Sequence, residues 1–197
     1  MWLKLLPALL GALVFLSGCG FENPLTGRPS KDLNTWLLGV WEHKSEKGER
    51  FRAIVTPKTG DRYWVTVQKL AKSGKPARSM SFEAYISRVG RSNFLTLKCL
   101  EGGPEIAAGR YAFAHYQVLD QNSVRIRLPA LDADPSASGY QLRKEIRAKV
   151  KDGTLYPDIG TAWQRISEVY WAKGDEPQPM QPLRFPPELD PELGKTP

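Results

Sequence analysis

The chain has 197 residues, of which 41% are hydrophobic and 25% are charged. That hydrophobic fraction excludes wholesale disorder, and the length suits one domain with appendages. Two cysteines exclude a disulfide-dense scaffold, and the net charge of +7 permits nucleic acid or acidic lipid as a partner without requiring either.

The N-terminal segment has the pattern of an export signal. Lys4 and the free amine give a positive start, and residues 5–16 are an apolar run without a charge. This run is too short for a membrane-spanning helix, which takes about 20 residues, and it has the length of the apolar region of a signal peptide. Ser17 and Gly18 are small residues, as a signal peptidase requires, and Cys19 follows them directly.

The motif at positions 16–19, Leu-Ser-Gly-Cys, resembles the lipobox of bacterial lipoproteins. The resemblance implies that the Cys19 thiol receives diacylglycerol, that signal peptidase II cleaves between Gly18 and Cys19, and that the new amino group is acylated. Residues 1–18 are then a lipoprotein signal peptide, and acyl chains hold the mature protein in the membrane of the bacterial cell envelope. Gly20 replaces the aspartate that retains enteric lipoproteins in the inner membrane, which favours the periplasmic face of the outer membrane. The alternative is an ordinary signal peptide with an incidental cysteine.

The two ends of the mature chain are predicted to lie outside a central folded domain. Residues 19–34 contain Gly, Pro, Asn and Ser with little apolar periodicity, which predicts a lipidated tether. Residues 174–197 hold 7 of the 16 prolines, with two basic and five acidic side chains. Because proline breaks both helices and sheet ladders, this segment is predicted to be a disordered tail. The folded domain is therefore expected over residues 35–173.

Seven segments of that domain have the alternating pattern of β-strands separated by turn residues. They span residues 37–44, 49–57, 62–70, 78–89, 93–100, 110–119 and 123–128. In the fifth segment Leu95, Leu97 and Cys99 share one face. Since Cys19 is assigned to lipid, Cys99 has no partner for an intramolecular disulfide, and we expect a buried structural thiol rather than a nucleophile.

One helix interrupts the strands. Ser138 and Gln141 have capping-box spacing, and Leu142, Ile146 and Val150 follow at intervals of four residues, with Gly153 as a stop. The opposite face is basic and contains Arg143, Lys144, Arg147 and Lys151. Two interpretations stay open for it: contact with anionic headgroups, or, as we favour, an ordinary solvated face.

After the helix, residues 161–171 are predicted to form an eighth strand that returns to pair with the first. The expected fold is mainly β, an antiparallel meander of about eight strands closed as a small barrel, with one helix before the last strand.

Gly39-Val40-Trp41, at the start of the first strand, resembles the Gly-x-Trp start of lipocalin-like (calycin) barrels. The resemblance implies that Trp41 plugs one end of the barrel and that an arginine of the last strand, here Arg165, packs over its ring. Cation–π attraction gives a physical reason for that contact. The second and third lipocalin signatures are not recognisable, and the helix precedes the last strand instead of following it. The domain is also similar to small uncharacterised bacterial lipoproteins.

No constellation in the sequence is typical of catalysis. The two histidines, His43 and His115, have no neighbouring Cys or His with metal-ligand spacing. His43, at the end of the first strand, is expected to be exposed, and His115 shares a face with Tyr111 and Phe113, as a core or lumen histidine does. No nucleophile elbow and no phosphate-binding glycine motif occur. We therefore expect no enzymatic activity, no metal and no cofactor, and nucleic acid is not expected as a partner of an exported lipoprotein.

Two functional hypotheses remain. The first is a non-enzymatic binding module whose barrel holds a small apolar or amphipathic ligand, or an envelope component. The second is an envelope structural or assembly protein that acts through protein–protein contacts. They differ in the lumen, where Phe51, Tyr63, Phe82 and Tyr111 are predicted to point inward.

Overall fold

A computed structural model describes residues 20–30, 33–101, 103, 106–157 and 160–167. The predicted signal peptide, the bond between Gly18 and Cys19, and the tail of residues 174–197 lie outside these residues. Within the described part, no helix is both long and apolar enough to cross a membrane.

Eight antiparallel strands form a closed barrel in which each strand pairs with its neighbours in sequence and β8 pairs with β1. The strands are β1 (Gly39–Lys44), β2 (Arg50–Pro57), β3 (Arg62–Leu70), β4 (Pro76–Val89), β5 (Ser92–Cys99), β6 (Tyr111–Asp120), β7 (Ser123–Arg127) and β8 (Thr161–Ser167). A helix, α1 (Gly139–Asp152), lies between β7 and β8. The predicted barrel with one helix before its last strand is confirmed.

The two ends of the barrel differ. Because successive strands run in opposite directions, the connections β1–β2, β3–β4, β5–β6 and β7–β8 share one end, here called the long-loop end. The other three connections form the short-turn end, together with a 3₁₀ turn, η1 (Thr35–Leu37), that precedes β1. Residue 37 was predicted to begin the first strand, but it belongs to this turn. The Asn34 side chain caps the turn by accepting a hydrogen bond from the Trp36 amide.

Alternate residues of each strand point into an apolar interior, as the two-residue period requires. Phe51, Tyr63 and Phe82 are buried there, as predicted. Tyr111, also predicted to point inward, instead packs on the outer wall. The register explains the difference: paired residues point to the same side, and it is Ala112, not Tyr111, that pairs with the interior residue Leu97.

A second apolar cluster lies between the outer wall of the barrel and helix α1. Its buried members are Leu25, Val89, Phe94, Phe113, Ala137, Leu142, Ile146 and Leu155. The predicted capping box is present, since Ser138 Oγ accepts from the Gln141 amide and the Ser138 amide donates to Gln141 Oε1 at 2.8 Å.

The predicted apolar face of α1 is only partly right. Leu142 and Ile146 are fully buried, whereas Val150 is 49% exposed. A step of four residues exceeds one helical turn by about 40°, so Val150 is rotated about 80° from Leu142 and leaves the contact.

Residues 20–30, which the sequence assigned to a tether, pack along the outer wall instead of forming a free linker. Phe21 and Tyr111 exchange both backbone hydrogen bonds, at 2.9 and 2.8 Å, and Leu25 is completely buried. Further along, the Ser30 amide donates to the Ile86 carbonyl at 2.8 Å. This segment forms one isolated bridge and no regular element, so it has no periodicity by which the sequence would reveal it.

Candidate functional site

The short-turn end of the barrel is closed by the three residues that the lipocalin-like resemblance singled out. Trp41 and Arg165 are paired across β1 and β8. The guanidinium carbon of Arg165 lies 4.6 Å from the centre of the Trp41 ring, inside the range of about 6 Å in which cation–π attraction acts. Gly39 has a φ of +138°, and a Cβ there would lie 2.9 Å from the Ser167 carbonyl oxygen and 3.6 Å from Arg165 Nε. Glycine is therefore required for this close approach.

Gly39, Trp41 and Arg165 are here called the floor of the barrel. Hydrogen bonds connect this floor to the 3₁₀ turn η1. Trp41, which is 3% exposed, donates from Nε1 to the Leu37 carbonyl at 2.9 Å. Arg165 donates from Nη2 to the Trp36 carbonyl at 2.5 Å. Both side chains thus satisfy carbonyls of η1, so β1, β8 and η1 are held as one unit.

Tyr63, on β3, bonds to the residue that precedes η1. Its hydroxyl accepts from the Asn34 amide at 2.5 Å and lies 3.3 Å from the Asn34 carbonyl, to which it donates. Burial raises the pKa of Tyr63 far above its ordinary value, so the phenol keeps its proton and its donor role.

Nearer the long-loop end, three rings meet inside the barrel. His43 lies two residues after Trp41 on the same face of β1, and it stacks on Phe51 with ring centres 6.4 Å apart. On the other side its ring centre is 5.6 Å from that of Trp163, on β8. His43 was predicted to be exposed. It is half-buried instead, because residues 39, 41 and 43 all point inward.

The hydrogen bond of His43 determines its tautomer. Nδ1 lies 3.0 Å from the Ala162 carbonyl, and because a carbonyl only accepts, Nδ1 carries the proton. Burial lowers the pKa of His43, partly opposed by that hydrogen bond, so the ring is neutral at pH 7. Nε2 is then a bare acceptor.

Two polar atoms of this group have no hydrogen-bond partner among the described residues. They are His43 Nε2, an acceptor, and Trp163 Nε1–H, a donor, and both atoms are buried. Trp163 as a whole is only 4% exposed. Leaving a buried donor or acceptor unsatisfied costs about 1–3 kcal/mol. A hydroxyl group, which donates and accepts at once, has the chemistry that complements both atoms.

The other titratable interior and wall groups already have structural roles. Cys99 is 1% exposed and donates its S–H to the Glu101 carbonyl at 3.2 Å, and burial raises its pKa. The predicted buried, structural cysteine is confirmed. His115 does share a face with Tyr111 and Phe113, but that face is the outer wall, where His115 stacks on Tyr156 at 5.3 Å between ring centres.

Two carboxylates on the outer wall are each held by two cations. Glu42 accepts from Arg50 at 3.0 Å and from Arg52 at 2.7 Å, and Glu83 accepts from Lys58 and Arg62. Burial alone would raise the pKa of both carboxyls, but these hydrogen bonds outweigh it and lower the pKa. In the part of the chain that the structure describes, no group of three or more His, Cys, Asp or Glu side chains is placed to hold a metal ion.

The His43–Trp163 pair is the feature that sequence reasoning missed. The available signal was the two-residue period of β1, which places His43 on the face of Trp41. Its partner also follows once Trp41 is paired with Arg165, because antiparallel pairing of these two residues places residue 163 opposite residue 43. Gly39, Trp41 and Arg165, by contrast, are the residues that the lipocalin-like resemblance implied. Cys19 and Gly18 lie outside the described residues.

Comparison with known proteins places the chain in no family. No protein-family model matches it, and no curated protein matches it. Among solved structures, a de novo designed fluorescence-activating β-barrel is similar at a TM-score of 0.34 and 15% sequence identity, covering 68% of this chain and 98% of the designed one.

Proposed function

We propose that this protein is a lipid-anchored protein of the bacterial cell envelope whose lipocalin-like barrel binds a small amphipathic molecule. In this proposal Cys19 carries the acyl chains, the outer membrane is the site, and the protein holds its ligand without converting it. Neither a cofactor nor nucleic acid takes part.

The observation that carries the binding role is the buried pair of His43 Nε2 and Trp163 Nε1. Both atoms are buried, and most of the side chains that line the barrel interior are apolar. Such a site, mostly hydrophobic with a few placed polar groups, is what small-molecule pockets have in common. The pair favours a ligand with an apolar body and one hydroxyl group. The floor made by Trp41 and Arg165 supports the lipocalin-like assignment.

Binding is tested with 1-decanol as the probe and decane as its partner without a hydroxyl group. Tryptophan fluorescence and native mass spectrometry of the purified protein report the complex. Trp163→Phe removes the donor and keeps an aromatic ring, so we expect decanol affinity to fall about 2- to 12-fold, the equivalent of one net hydrogen bond of about 0.5–1.5 kcal/mol.

The matched control is Trp64→Phe, because Trp64 lies on the outer wall, under the Lys58 ammonium at 4.1 Å. This control should leave decanol affinity unchanged. Equal affinities for decanol and decane, or equal effects of the two substitutions, would contradict the proposed role of the pair.

The anchor is tested separately by Cys19→Ser. The lipobox motif at positions 16–19 supports the expectation that this variant stays an unprocessed precursor without fatty-acid label. Normal labelling of the variant would show that Cys19 is not the lipid site.

The alternative function is an envelope assembly protein that acts through protein contacts. It is favoured by two apolar side chains beside the floor, Trp36 and Ile166, which are 47% and 49% exposed. Crosslinking in intact membranes and lipid extraction of the purified domain distinguish the two functions. Capture of a single envelope protein through Trp36, together with the absence of a small molecule from the lipid extract, would favour the alternative.

A further inference from the structure

The lipid-bearing residue of the proposed anchor is separated from the folded domain by a single peptide bond. Gly20 is the first described residue, and an ideal Cβ on it would lie 2.7 Å from Arg110 Cβ and 2.8 Å from Ile106 Cδ1. Phe21 is then clamped to Tyr111, the first residue of β6, by two backbone hydrogen bonds.

This attachment lies at the long-loop end, because β6 begins there and the connection that contains Ile106 and Arg110 joins β5 to β6. Consecutive Cα atoms are about 3.8 Å apart, so acyl chains on Cys19 enter the bilayer next to this end. The short connection therefore keeps the long-loop end within reach of the headgroups, and whether this end docks on them depends on its charge.

Two of the connections at the long-loop end are basic. Residues 44–49 and 71–78, which form or flank its two short connections, contain five basic and two acidic side chains. One of the acids, Glu49, already binds Lys69 at 2.6 Å. The basic residues are all exposed: Lys44, Lys47, Lys72, Lys75 and Arg78.

The short-turn end has a smaller basic excess: residues 58–62, 88–91 and 120–123 contain four basic side chains, Lys58, Arg62, Arg88 and Arg91, and two acidic ones, Asp61 and Asp120. Its β2–β3 connection contains Lys58, Asp61 and Arg62, and both cations are bound to Glu83. In the β6–β7 turn Asp120 accepts from the Asn122 amide at 2.7 Å.

We propose that the long-loop end docks on the anionic headgroup surface of the membrane that holds Cys19, so that the barrel stands with this end against the lipid. The inference rests on the proposed lipid anchor. It differs from the interpretation in which the basic face of α1 meets the membrane. Helix α1 packs along the outer wall of the barrel. Its exposed basic residues point away from that wall: Lys144, Arg147 and Lys151.

Each basic side chain near an anionic surface strengthens docking about fivefold. Neutralising three of them at the long-loop end should therefore lower the ratio of docked to undocked protein on the order of 100-fold. Two triple substitutions form a matched comparison, since each removes three exposed positive charges. One replaces Lys47, Lys72 and Lys75, and the other replaces Lys144, Arg147 and Lys151.

The experiment uses the full lipid-anchored protein in vesicles of phosphatidylcholine with phosphatidylglycerol. A bimane label is placed at Ser73→Cys in the β3–β4 connection, at Gln121→Cys in the β6–β7 turn, or at Ala148→Cys on α1, all exposed positions. Quenching by headgroup spin-labelled lipid reports which label lies at the surface. Cys99 is buried and does not compete for the label.

We expect strong quenching at position 73 and weak quenching at 121 and 148. Quenching at 73 should be lost in the Lys47→Gln, Lys72→Gln, Lys75→Gln variant and in vesicles of phosphatidylcholine alone, but kept in the Lys144→Gln, Arg147→Gln, Lys151→Gln variant.

Mass spectrometry of the N-terminal peptide separates the two ways to fail. A peptide without acyl chains overturns the anchor and with it this orientation. An acylated peptide with quenching strongest at 148 or 121, or equal at all three positions, overturns the docking inference and leaves the anchor intact.

Discussion

The contact between Trp41 and Arg165 predicts an energetic coupling that can be measured. The guanidinium lies 4.6 Å from the ring centre, over a tryptophan that is 3% exposed. A cation–π contact contributes about 0.5–1 kcal/mol when exposed and about 2 kcal/mol when desolvated. Because the ring is buried but Arg165 is only half-buried, we expect a coupling of about 1–2 kcal/mol.

The single substitutions cost more than this coupling. Arg165→Leu also removes the hydrogen bond to the Trp36 carbonyl, and bonds of charged donors contribute about 1.5–3 kcal/mol. Trp41→Leu leaves a cavity and an unsatisfied Leu37 carbonyl, for about 3–5 kcal/mol. The double variant should therefore be less destabilised than the sum of the two single variants, by the amount of the coupling.

Urea unfolding followed by far-UV circular dichroism supplies the four free energies of unfolding, with the slope m checked for each variant. Trp64→Leu combined with Arg165→Leu is the control, and it should be additive within about 0.5 kcal/mol because Trp64 lies on the outer wall. A Trp41–Arg165 cycle that is equally additive would refute the stacking argument. In that case Arg165 would stabilise this end of the barrel through hydrogen bonding and not through stacking.

Three further outcomes are expected. Leu142→Ala should destabilise the protein by about 2–5 kcal/mol, because the side chain is fully buried, whereas Val150→Ala should change stability by no more than about 0.5 kcal/mol, as at an exposed site. The free energy of unfolding should fall as the pH drops below 6.5, because burial lowers the pKa of both His43 and His115 below the ordinary value of 6.5. In this window the unfolded chain binds more protons than the folded one, so the stability contributed by the neutral rings is fully present above pH 6.5 and is lost on acidification. Cys99 should resist a thiol reagent in the folded protein and react at once in urea, because its sulfur is buried and its pKa is raised.

Each of these expectations has a result that would contradict it. Equal effects of the two helix substitutions would show that α1 does not pack through Leu142. For the histidines, the comparison is with the variant that combines His43→Gln and His115→Gln, which should flatten the stability profile just below pH 6.5. An unchanged slope would assign the pH dependence to other groups. Rapid labelling of Cys99 in buffer would mean that the interior near the β5–β6 connection opens readily.

Much of the fold followed from local patterns. Strand residues recur with a period of two whatever they pair with, so seven segments and their turns were visible in the chain. The start of the helix was predictable from Ser138 and Gln141, because their capping hydrogen bonds span only three residues. The contact between Trp41 and Arg165 was also predicted, through the resemblance of Gly39-Val40-Trp41 to a known motif. The structure adds the reason for the glycine, which is its positive φ and its close approach to Ser167.

Three of the predictions were wrong for different physical reasons. Tyr111 was placed on the wrong side of the barrel, because one residue of register reverses every side chain of a strand and the register of β6 is set by its pairing with β5. Val150 was assigned to the buried face, because four-residue spacing drifts around a helix. The segment 20–30 was taken as a tether, because its order comes from a wall and a helix that lie far away in sequence.

The sequence by itself determined the elements, their order, the barrel class and the motif at Cys19, since these depend on short-range periodicity, turn chemistry and spacing. Only the tertiary structure decided which polar atoms stay unsatisfied inside the barrel and where the chain next to Cys19 is held. Both depend on contacts between distant segments, β1 with β8 in one case and Phe21 with Tyr111 in the other. Closure and register create those contacts, and no local pattern encodes them.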